Sequence, residues 1–366
     1  MRRGKWLVLL VLLALCGCTS FVTRQIERPG RDNRAQLAWF RQLLDHAGFR
    51  FDAMQTDQGV HLAYWYGNPR AYGFKANVQE QHKNHHTSFN LDFKFAVAPA
   101  KAPALPARGS VVLLHPWGTE GSALTNWALL FSSAGYVVVM PDLRSHGASG
   151  NAPVGYGPRE ANDIAELVRK LRADHRLPGP LYLLGVSYGG SVALFTAPKL
   201  DGVKGVVALE PYVNAAAVIR RAPASGLFGH RWLASLLRPR EVDQAIERAG
   251  RQLGIDLARI DPGDALAQVP ACVLILRGSN DKLIAGNALR ALSQRSPRAR
   301  YVEVSDEGHL MLPMRTDRLF PPLLDWMDAL PAAHDGGCPG FAPLPFVVAP
   351  ANRPDVSPHG QKLGEP

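Results

Sequence analysis

The feature that most restricts the fold is a serine enclosed by glycines between two apolar runs. Residues 181–190 read Leu-Tyr-Leu-Leu-Gly-Val-Ser-Tyr-Gly-Gly, and Ser-Val-Ala-Leu-Phe follows at 191–195. The first run is typical of a buried strand and the second of a helix, so Ser187 occupies a sharp strand-to-helix turn. Only small neighbours permit such a turn, which accounts for a glycine two residues away on each side. The turn directs the hydroxyl out of the sheet.

Short continuous apolar runs recur on both sides of this turn, separated by helical patterns. Such runs are typical of strands covered on both faces in a parallel sheet. Residues 160–172 place their apolar side chains along one stripe, as a crossover helix does. The chain therefore predicts a doubly wound α/β sheet. The runs are Val111 to Leu114, Tyr136 to Met140, Leu181 to Leu184, Val206 to Leu209, Cys272 to Leu276 and Tyr301 to Val304.

Two earlier stretches, 60–66 and 89–97, alternate apolar and polar residues. Alternation is typical of half-buried strands, and we expect both at an antiparallel edge of the sheet. The polar stretch between them contains His82, His85 and His86. Because no matching set of carboxylates or cysteines accompanies these histidines, we predict a solvated loop and no metal site.

A serine hydroxyl is a weak nucleophile at neutral pH and needs a histidine to accept its proton. His309 lies in the loop after the last apolar run, near the end of the predicted sheet. His334 and His359 follow in a stretch that offers no rigid support. His309 is therefore the candidate base for Ser187.

A carboxylate must orient that histidine, and two residues compete for the role. Asp281 lies in a Gly-x-x-Asp turn after the penultimate run and is favoured. Glu210, at the end of an earlier run, is the alternative acid. Asp306 and Glu307, close to the histidine in sequence, are expected to be solvated loop charges.

Attack by the serine on a carbonyl would create an oxyanion, which two backbone N–H groups must stabilise. Tyr188, directly after the serine, is the first candidate donor. The second should come from the loop after the first apolar run, which reads His-Pro-Trp-Gly at 115–118. Proline has no N–H, so Trp117 is the better donor in this loop.

These segments, in this order, resemble the α/β-hydrolase superfamily over about residues 87–331. The loop at 115–118 resembles the family's His-Gly-x-Gly loop, with proline in place of the first glycine. Residues 142–150, Asp-Leu-Arg-Ser-His-Gly-Ala-Ser-Gly, resemble its Asp-x-x-Gly-His-Gly-x-Ser segment. The resemblance implies an α/β-hydrolase sheet with antiparallel amino-terminal strands and a helical cap, and a scaffold role for His146.

For function, the resemblance implies a serine hydrolase that cleaves carboxylic esters or related acyl compounds through an acyl-enzyme, without a cofactor. Residues 156–163 resemble the branch of serine aminopeptidase-like, monoglyceride lipase-like and related esterases, and esters are favoured over peptides. Three alternatives stay open. They are an acyltransferase, a peptidase or amidase on the same fold, and a catalytically inactive, envelope-anchored binding module.

The amino terminus has the pattern of an export signal. A basic start at 1–5 precedes an apolar run at 6–15, which is too short to span a bilayer. Residues 15–18, Leu-Cys-Gly-Cys, resemble the bacterial lipobox, which implies a signal peptide at 1–17 and lipidation of Cys18. Thr19, where an aspartate would retain a lipoprotein in the inner membrane, implies the outer membrane, facing the periplasm. A plain cleaved signal peptide and an uncleaved anchor are the alternatives.

The formal net charge of +10 falls by three, to +7, if Arg2, Arg3 and Lys5 leave with the signal peptide. A positive net charge favours anionic membrane surfaces. The basic residues are scattered and no recognised nucleic-acid motif accompanies them, so nucleic acid is not an expected partner.

The rest of the chain divides by composition. We predict a polar tether at residues 18–33 and the hydrolase domain at 34–331. Within that domain, residues 211–268 are predicted to form a helical, basic cap. Residues 332–366 are rich in proline and glycine without periodicity, and we expect a disordered tail.

Two cysteines lie outside the leader. Cys272, in an apolar run, is predicted to be a small buried hydrophobic residue. Cys338 lies in the expected tail. The sequence therefore predicts no disulfide framework.

Overall fold

The computed structural model describes residues 19–29, 34–83, 86–225, 238–331 and 336–343. Ten strands and ten helices are defined in these ranges. The strands are β1 (Arg50–Gln55), β2 (His61–Gly67), β3 (Phe74–Lys83), β4 (His86–Phe95), β5 (Gly109–Leu114), β6 (Tyr136–Pro141), β7 (Leu181–Val186), β8 (Val203–Leu209), β9 (Cys272–Gly278) and β10 (Ala299–Val304). The helices are α1 (19–27), α2 (Arg34–His46), α3 (Thr125–Ser133), α4 (Pro158–Ala173), α5 (Tyr188–Thr196), α6 (Ala215–Ser225), α7 (Pro239–Leu253), α8 (Gly263–Ala267), α9 (Gly286–Ser293) and α10 (Thr316–Asp328).

Eight strands form one sheet in the order β1-β2-β6-β5-β7-β8-β9-β10. The strands from β6 to β10 in this order are parallel, whereas β1 and β2 are antiparallel to their neighbours. Every residue of β5, β6, β7 and β9 is buried, which explains their continuous apolar sequences. The predicted doubly wound, mostly parallel sheet with antiparallel amino-terminal strands is confirmed.

Helices cover both faces of the sheet and create two cores. On one face, Ile164 of α4 and Val192 of α5 belong to the buried cluster. On the other, Trp127 of α3 and Trp326 of α10 do. Within the described part of the chain, none of the helices is both long and apolar enough to cross a bilayer.

The second alternating stretch does not join the main sheet, contrary to our expectation. It forms β4, which among the described strands pairs with β3 alone, in a separate antiparallel hairpin. His82 and His86 therefore have strand backbone instead of lying in a loop, and His85 lies outside the described residues. Backbone pairing does not require apolar side chains, so the polar composition of β3 concealed this strand.

The polar tether expected at 18–33 is wrong for its first part. Residues 19–27 form α1, and the side chains of Val22 and Ile26, four residues apart on one helix face, are fully buried. The hydroxyl of Tyr156 donates a hydrogen bond to the Ile26 carbonyl at 2.8 Å. Two apolar positions four residues apart are too short a pattern to reveal a helix from sequence. Residues 30–33 lie outside the described ranges.

The expectation of two unbonded cysteines is also wrong. Cys272, at the start of β9, forms a disulfide with Cys338, with 5.5 Å between the Cα atoms. Cys338 and Phe341 pack against the buried core, so residues 336–343 are not the disordered tail that composition predicted. The disulfide holds this segment against the core although its sequence has no apolar periodicity, which is why composition alone predicted disorder. Residues 332–335 and 344–366 lie outside the described part of the chain.

Between β8 and β9 the chain inserts α6, α7 and α8, where we predicted a helical cap at 211–268. Arg220 of α6 donates to Asp243 of α7 at 2.6 Å, which ties the two helices together. Residues 226–237 of the expected cap lie outside the described residues.

Candidate functional site

The candidate site lies at the carboxyl ends of four adjacent parallel strands. Ser187 follows β7, Glu210 follows β8, Asp281 follows β9 and His309 follows β10. Because parallel strands end at the same edge of a sheet, the topology brings side chains together that are distant in sequence.

Ser187 has the strained backbone that its sequence setting predicts. Its φ of 51° and ψ of −111° lie outside the regions that non-glycine residues prefer. A Cβ atom on Gly185 would lie 2.0 Å from the carbonyl oxygen of Gly189, and one on Gly189 would lie 2.1 Å from that of Leu114. Both glycines are therefore required by backbone contacts.

The imidazole of His309 connects the serine to a carboxylate. Its Nε2 lies 2.9 Å from Ser187 Oγ, and its Nδ1 lies 2.8 Å from Asp281 Oδ2. An ionised carboxylate can only accept, so Nδ1 carries the proton and Nε2 is left to accept from the serine hydroxyl. The structure thus brings the predicted serine, histidine and favoured acid into one hydrogen-bonded chain.

Asp281 is held in place by its own loop. Its second carboxylate oxygen, Oδ1, accepts from the N–H groups of Leu283 at 2.6 Å and Ile284 at 2.9 Å. The guanidinium of Arg277 donates to the Asp281 carbonyl at 2.7 Å. These bonds fix the direction in which Oδ2 faces His309.

Glu210, the alternative acid, lies beside the same imidazole. Its side chain is fully buried, and its Oε2 lies 3.4 Å from His309 Nδ1. Oε1 accepts from the Gly278 N–H at 3.1 Å, whereas Oε2 has no hydrogen-bond partner among the described residues. Burial, and next the charge of Asp281, raise the pKa of Glu210 to about 10. Glu210 is therefore a neutral carboxylic acid at pH 7, while Asp281 makes the shorter contact.

The same three side chains lie close enough together to be considered as ligands of a metal ion. Ligand atoms of Glu210, Asp281 and His309 all lie within 4.8 Å of one another. Metal ligands must be deprotonated, but Glu210 is protonated and the Nδ1 of His309 donates to Asp281. The group is better suited to proton transfer than to holding an ion.

The loop after β5 is locked by hydrogen bonds around Pro116. The proline carbonyl accepts from Thr119 Oγ1 and from His115 Nδ1, both at 2.9 Å. His115 Nε2 accepts from the Leu143 N–H at 2.9 Å. Burial lowers the pKa of His115 to about 4, so the ring stays neutral and keeps both bonds at physiological pH.

The two predicted oxyanion donors lie on this loop and on α5. Tyr188 is the first residue of α5, so its N–H has no acceptor within the helix. Trp117 follows the locked Pro116, and the structure gives its N–H no acceptor in the described ranges. Both side chains line the space beside Ser187. Both N–H groups therefore remain candidate donors to an oxyanion.

Two neighbouring side chains are structural. His146 Nδ1 lies 3.0 Å from the Arg144 carbonyl, and its ring packs edge-on against Trp117. Glu307, which we expected to be solvated, is 5% exposed and lies 3.0 Å from Arg315 Nε. Its carbonyl accepts from the Asn280 N–H at 2.9 Å, so it supports the loop that carries the acid. Sequence proximity to His309 gave no sign of this role.

A pocket opens beside Ser187. Its wall is almost entirely apolar or aromatic, and α6 of the inserted helices contributes to it. Tyr156 and Tyr212 were not predicted as pocket residues, because nothing in their local sequence distinguishes a lining tyrosine from a core one. The main wall residues are Trp117, Tyr156, Tyr188, Tyr212, Val218 and Ile219.

Sequence comparison agrees with the geometry. Residues 111–321 match the model of the Alpha/beta hydrolase family. The chain belongs to the α/β-hydrolase family. The resemblance inferred from motifs is thereby confirmed, and family membership supports a hydrolytic activity for this α/β-hydrolase. No curated protein matches the chain in sequence.

Solved structures of other α/β-hydrolases share the fold at low sequence identity. A Pyrococcus furiosus esterase is 17% identical, with a TM-score of 0.52, over 78% of this chain and 90% of that one. A membrane phospholipase A, described as a bacterial virulence factor, is 18% identical, with a TM-score of 0.53, over 90% and 100%. A putative lipase from Acinetobacter baumannii is 16% identical, with a TM-score of 0.51, over 80% and 96%. Identities this low show a common fold.

Proposed function

We propose that this α/β-hydrolase cleaves carboxylic esters that carry an apolar acyl group, with Ser187 as the nucleophile. The observation that carries the proposal is the hydrogen-bonded chain from Ser187 through His309 to Asp281, which opens onto an apolar pocket. A strained serine, a neutral imidazole nitrogen and a fixed carboxylate are the parts that nucleophilic catalysis at a carbonyl requires.

In the first half-reaction, Ser187 Oγ attacks the ester carbonyl carbon while its proton moves to His309 Nε2. Asp281 stabilises the resulting imidazolium, and the N–H groups of Trp117 and Tyr188 stabilise the oxyanion. The tetrahedral intermediate then expels the alkoxide, which takes the proton from Nε2 and leaves as the alcohol. The acyl group remains on the serine.

In the second half-reaction, water attacks the acyl-enzyme. His309 Nε2 accepts a proton from the water, and the same two N–H groups stabilise the second oxyanion. Collapse of the intermediate breaks the bond to Ser187 Oγ, which recovers a proton from the imidazolium. The product is the carboxylic acid, and the serine is restored.

The pocket supports an apolar acyl group as the specificity element. No charged side chain belongs to the described lining, and a charged substituent would lose its hydration there without gaining a partner. Each methylene group buried in such a wall contributes about 0.8 kcal/mol. Specificity should therefore depend on acyl chain length more than on polar recognition.

A fluorophosphonate probe tests the nucleophile. The full-length protein should be labelled at Ser187, and the Ser187→Ala variant should not be labelled. If a control hydrolase reacts while Ser187 does not, the proposal fails. Product partition between water and an added alcohol then decides whether the acyl-enzyme serves a hydrolase or an acyltransferase.

A series of 4-nitrophenyl esters tests the pocket. We expect kcat/KM to rise about fourfold for each added methylene group until the pocket is filled. Ile219→Phe should move the optimum to shorter chains, because the larger side chain occupies part of the pocket. Arg221→Gln, on the exposed face of the same helix, serves as the control. A preference that does not depend on chain length would contradict the assignment.

We further propose export to the cell envelope and lipidation of Cys18, with the protein at the outer membrane and facing the periplasm. The leader pattern supports export. The disulfide between Cys272 and Cys338 also supports it, since such bonds persist mainly in oxidising compartments. Mass spectrometry of the mature amino terminus tests the anchor. An unmodified residue other than Cys18 at the first position would exclude it.

A further inference from the structure

We infer that the exposed face of α1 rests on an anionic lipid surface and thereby holds the pocket of Ser187 at the membrane. This lipid-facing surface consists of Phe21, Arg24 and Arg28, together with Arg248 of α7. The inference rests on the anchor proposed at Cys18. It adds that the folded enzyme itself contacts the lipid headgroups.

The first argument is the short distance in sequence between the proposed anchor and the fold. Residue 19, which directly follows Cys18 in the sequence, already belongs to the helix α1. With a rise of 1.5 Å per residue, the seven steps from residue 19 to Ile26 span about 10 Å. The Ile26 carbonyl accepts a hydrogen bond from Tyr156, which lines the pocket. An anchor at Cys18 would therefore keep the wall of the pocket close to the lipid surface.

The second argument is the division of α1 into two faces. Val22 and Ile26 are fully buried against the core. Phe21, Arg24 and Arg28 follow one another at spacings of three and four residues and lie on the opposite face of the helix. Phe21 is 44% exposed, and both arginines are exposed. An exposed aromatic ring beside two cations suits a membrane surface, because the cations can meet anionic headgroups while the ring loses contact with water.

The third argument is charge. Burial raises the pKa of Glu27, and the positive charges of Arg28, Arg248 and Arg24 oppose that shift. The three cations therefore lie within electrostatic range of one carboxyl group. Three cations against one carboxyl leave an excess of positive charge. Such a surface complements anionic headgroups.

Arginine footprinting tests the contact directly. The full-length, lipidated protein is reacted with phenylglyoxal in phosphatidylcholine vesicles, with and without phosphatidylglycerol, and in detergent micelles. Mass spectrometry then gives the extent of modification at each arginine. We expect several-fold protection of Arg24, Arg28 and Arg248 in the anionic vesicles alone, while Arg169 of α4 and Arg300 of β10 react equally in all samples.

Three results would overturn the inference. Equal reactivity in vesicles and micelles would show no contact, and equal protection in neutral vesicles would exclude a role for anionic headgroups. Low reactivity of these arginines in micelles as well, relative to Arg169 and Arg300, would show that the protein itself shields them. The footprint does not require turnover, so the Ser187→Ala variant should give the same pattern, and loss of the proposed activity would leave this result intact.

Charge reversal supplies a second readout. Arg24→Glu combined with Arg28→Glu should slow hydrolysis of an ester embedded in anionic vesicles, by about fivefold for each arginine. Hydrolysis of a water-soluble short-chain ester should be unchanged, because neither arginine belongs to the catalytic group. Arg300→Glu is the matched control and should alter neither rate. An equal loss on both substrates would indicate a folding defect and contradict a lipid-specific role.

Discussion

Glu210 places its Oε2 3.4 Å from Nδ1 of His309. The shorter contact to the same nitrogen, 2.8 Å, belongs to Asp281. Ionising two buried carboxyl groups that contact the same nitrogen would cost a large free energy, because the two negative charges repel each other. Asp281, with two backbone donors on its other oxygen, holds the negative charge, and Glu210 holds a proton.

This pairing predicts an unusual response to loss of Asp281. In Asp281→Asn the neighbouring negative charge is gone, which lowers the pKa of Glu210, and Glu210 Oε2 can accept from His309 Nδ1 in place of the lost acid. We expect kcat to fall by clearly less than the roughly 10⁴-fold seen when a sole triad acid is replaced. Steady-state kinetics of Asp281→Asn, Glu210→Gln and the double variant check this. Glu210→Gln alone should change kcat little. If the double variant is no slower than Asp281→Asn, Glu210 does not take over the role of Asp281.

The proton on Glu210 also predicts how stability varies with pH. The pKa of this group is about 10 in the folded protein and near 4.5 in the unfolded chain. Between about pH 5 and pH 9 the folded state therefore binds the extra proton, and this group lowers stability as pH rises. In urea unfolding experiments, the free energy of unfolding should fall less steeply with pH across that window in Glu210→Gln than in the parent protein. Parallel profiles would mean that Glu210 is ionised in the fold.

The glycines around Ser187 should tolerate no side chain. Gly189→Ala places a Cβ 2.1 Å from the Leu114 carbonyl oxygen, so the turn must distort, and we expect loss of activity with destabilisation of several kcal/mol. Gly308→Ala, next to His309, is the control, because its Cβ meets nothing within 4 Å. The free energy of unfolding of that variant should lie within about 0.5 kcal/mol of the parent value. Thermal unfolding and ester hydrolysis measure both, and an active Gly189→Ala protein would contradict the contact.

The disulfide should contribute measurably to stability. Its cysteines are 66 residues apart, and closing a loop of that length corresponds to about 4 kcal/mol in the chain-entropy estimate. Cys338→Ser should lower the unfolding free energy by roughly 2–4 kcal/mol under oxidising conditions. Under reducing conditions the parent and the variant should converge. A persistent difference after reduction would assign the effect to packing of residue 338.

The catalytic candidates could be predicted because they depend on local backbone geometry and strand order. Ser187 is marked by glycines that its turn requires, and His309 and Asp281 by their position after the last strands. The sequence could not decide how near Glu210 comes to the imidazole, since both acids follow buried strands. That distance depends on how β8 and β9 lie side by side.

What could not be predicted depends on contacts between distant segments. Nothing around Val22 or Ile26 indicates that they pack near Tyr156, more than a hundred residues away. The bond between Cys272 and Cys338 likewise joins a strand to a segment without periodicity. Tyr156 and Tyr212 of the pocket wall were not predicted for the same reason, since they come from separate loops.

The covalent bond at Cys272 and Cys338 has a further consequence. The stretch of chain that it closes includes both Asp281 and His309. A single cut by a protease within that stretch, for example beside the exposed Leu310, would open the ring without releasing either end. The nicked enzyme would keep its acid and its base on one covalent framework. A cut that would let the two fragments of an unlinked chain separate would here leave them joined by the disulfide and able to reassociate.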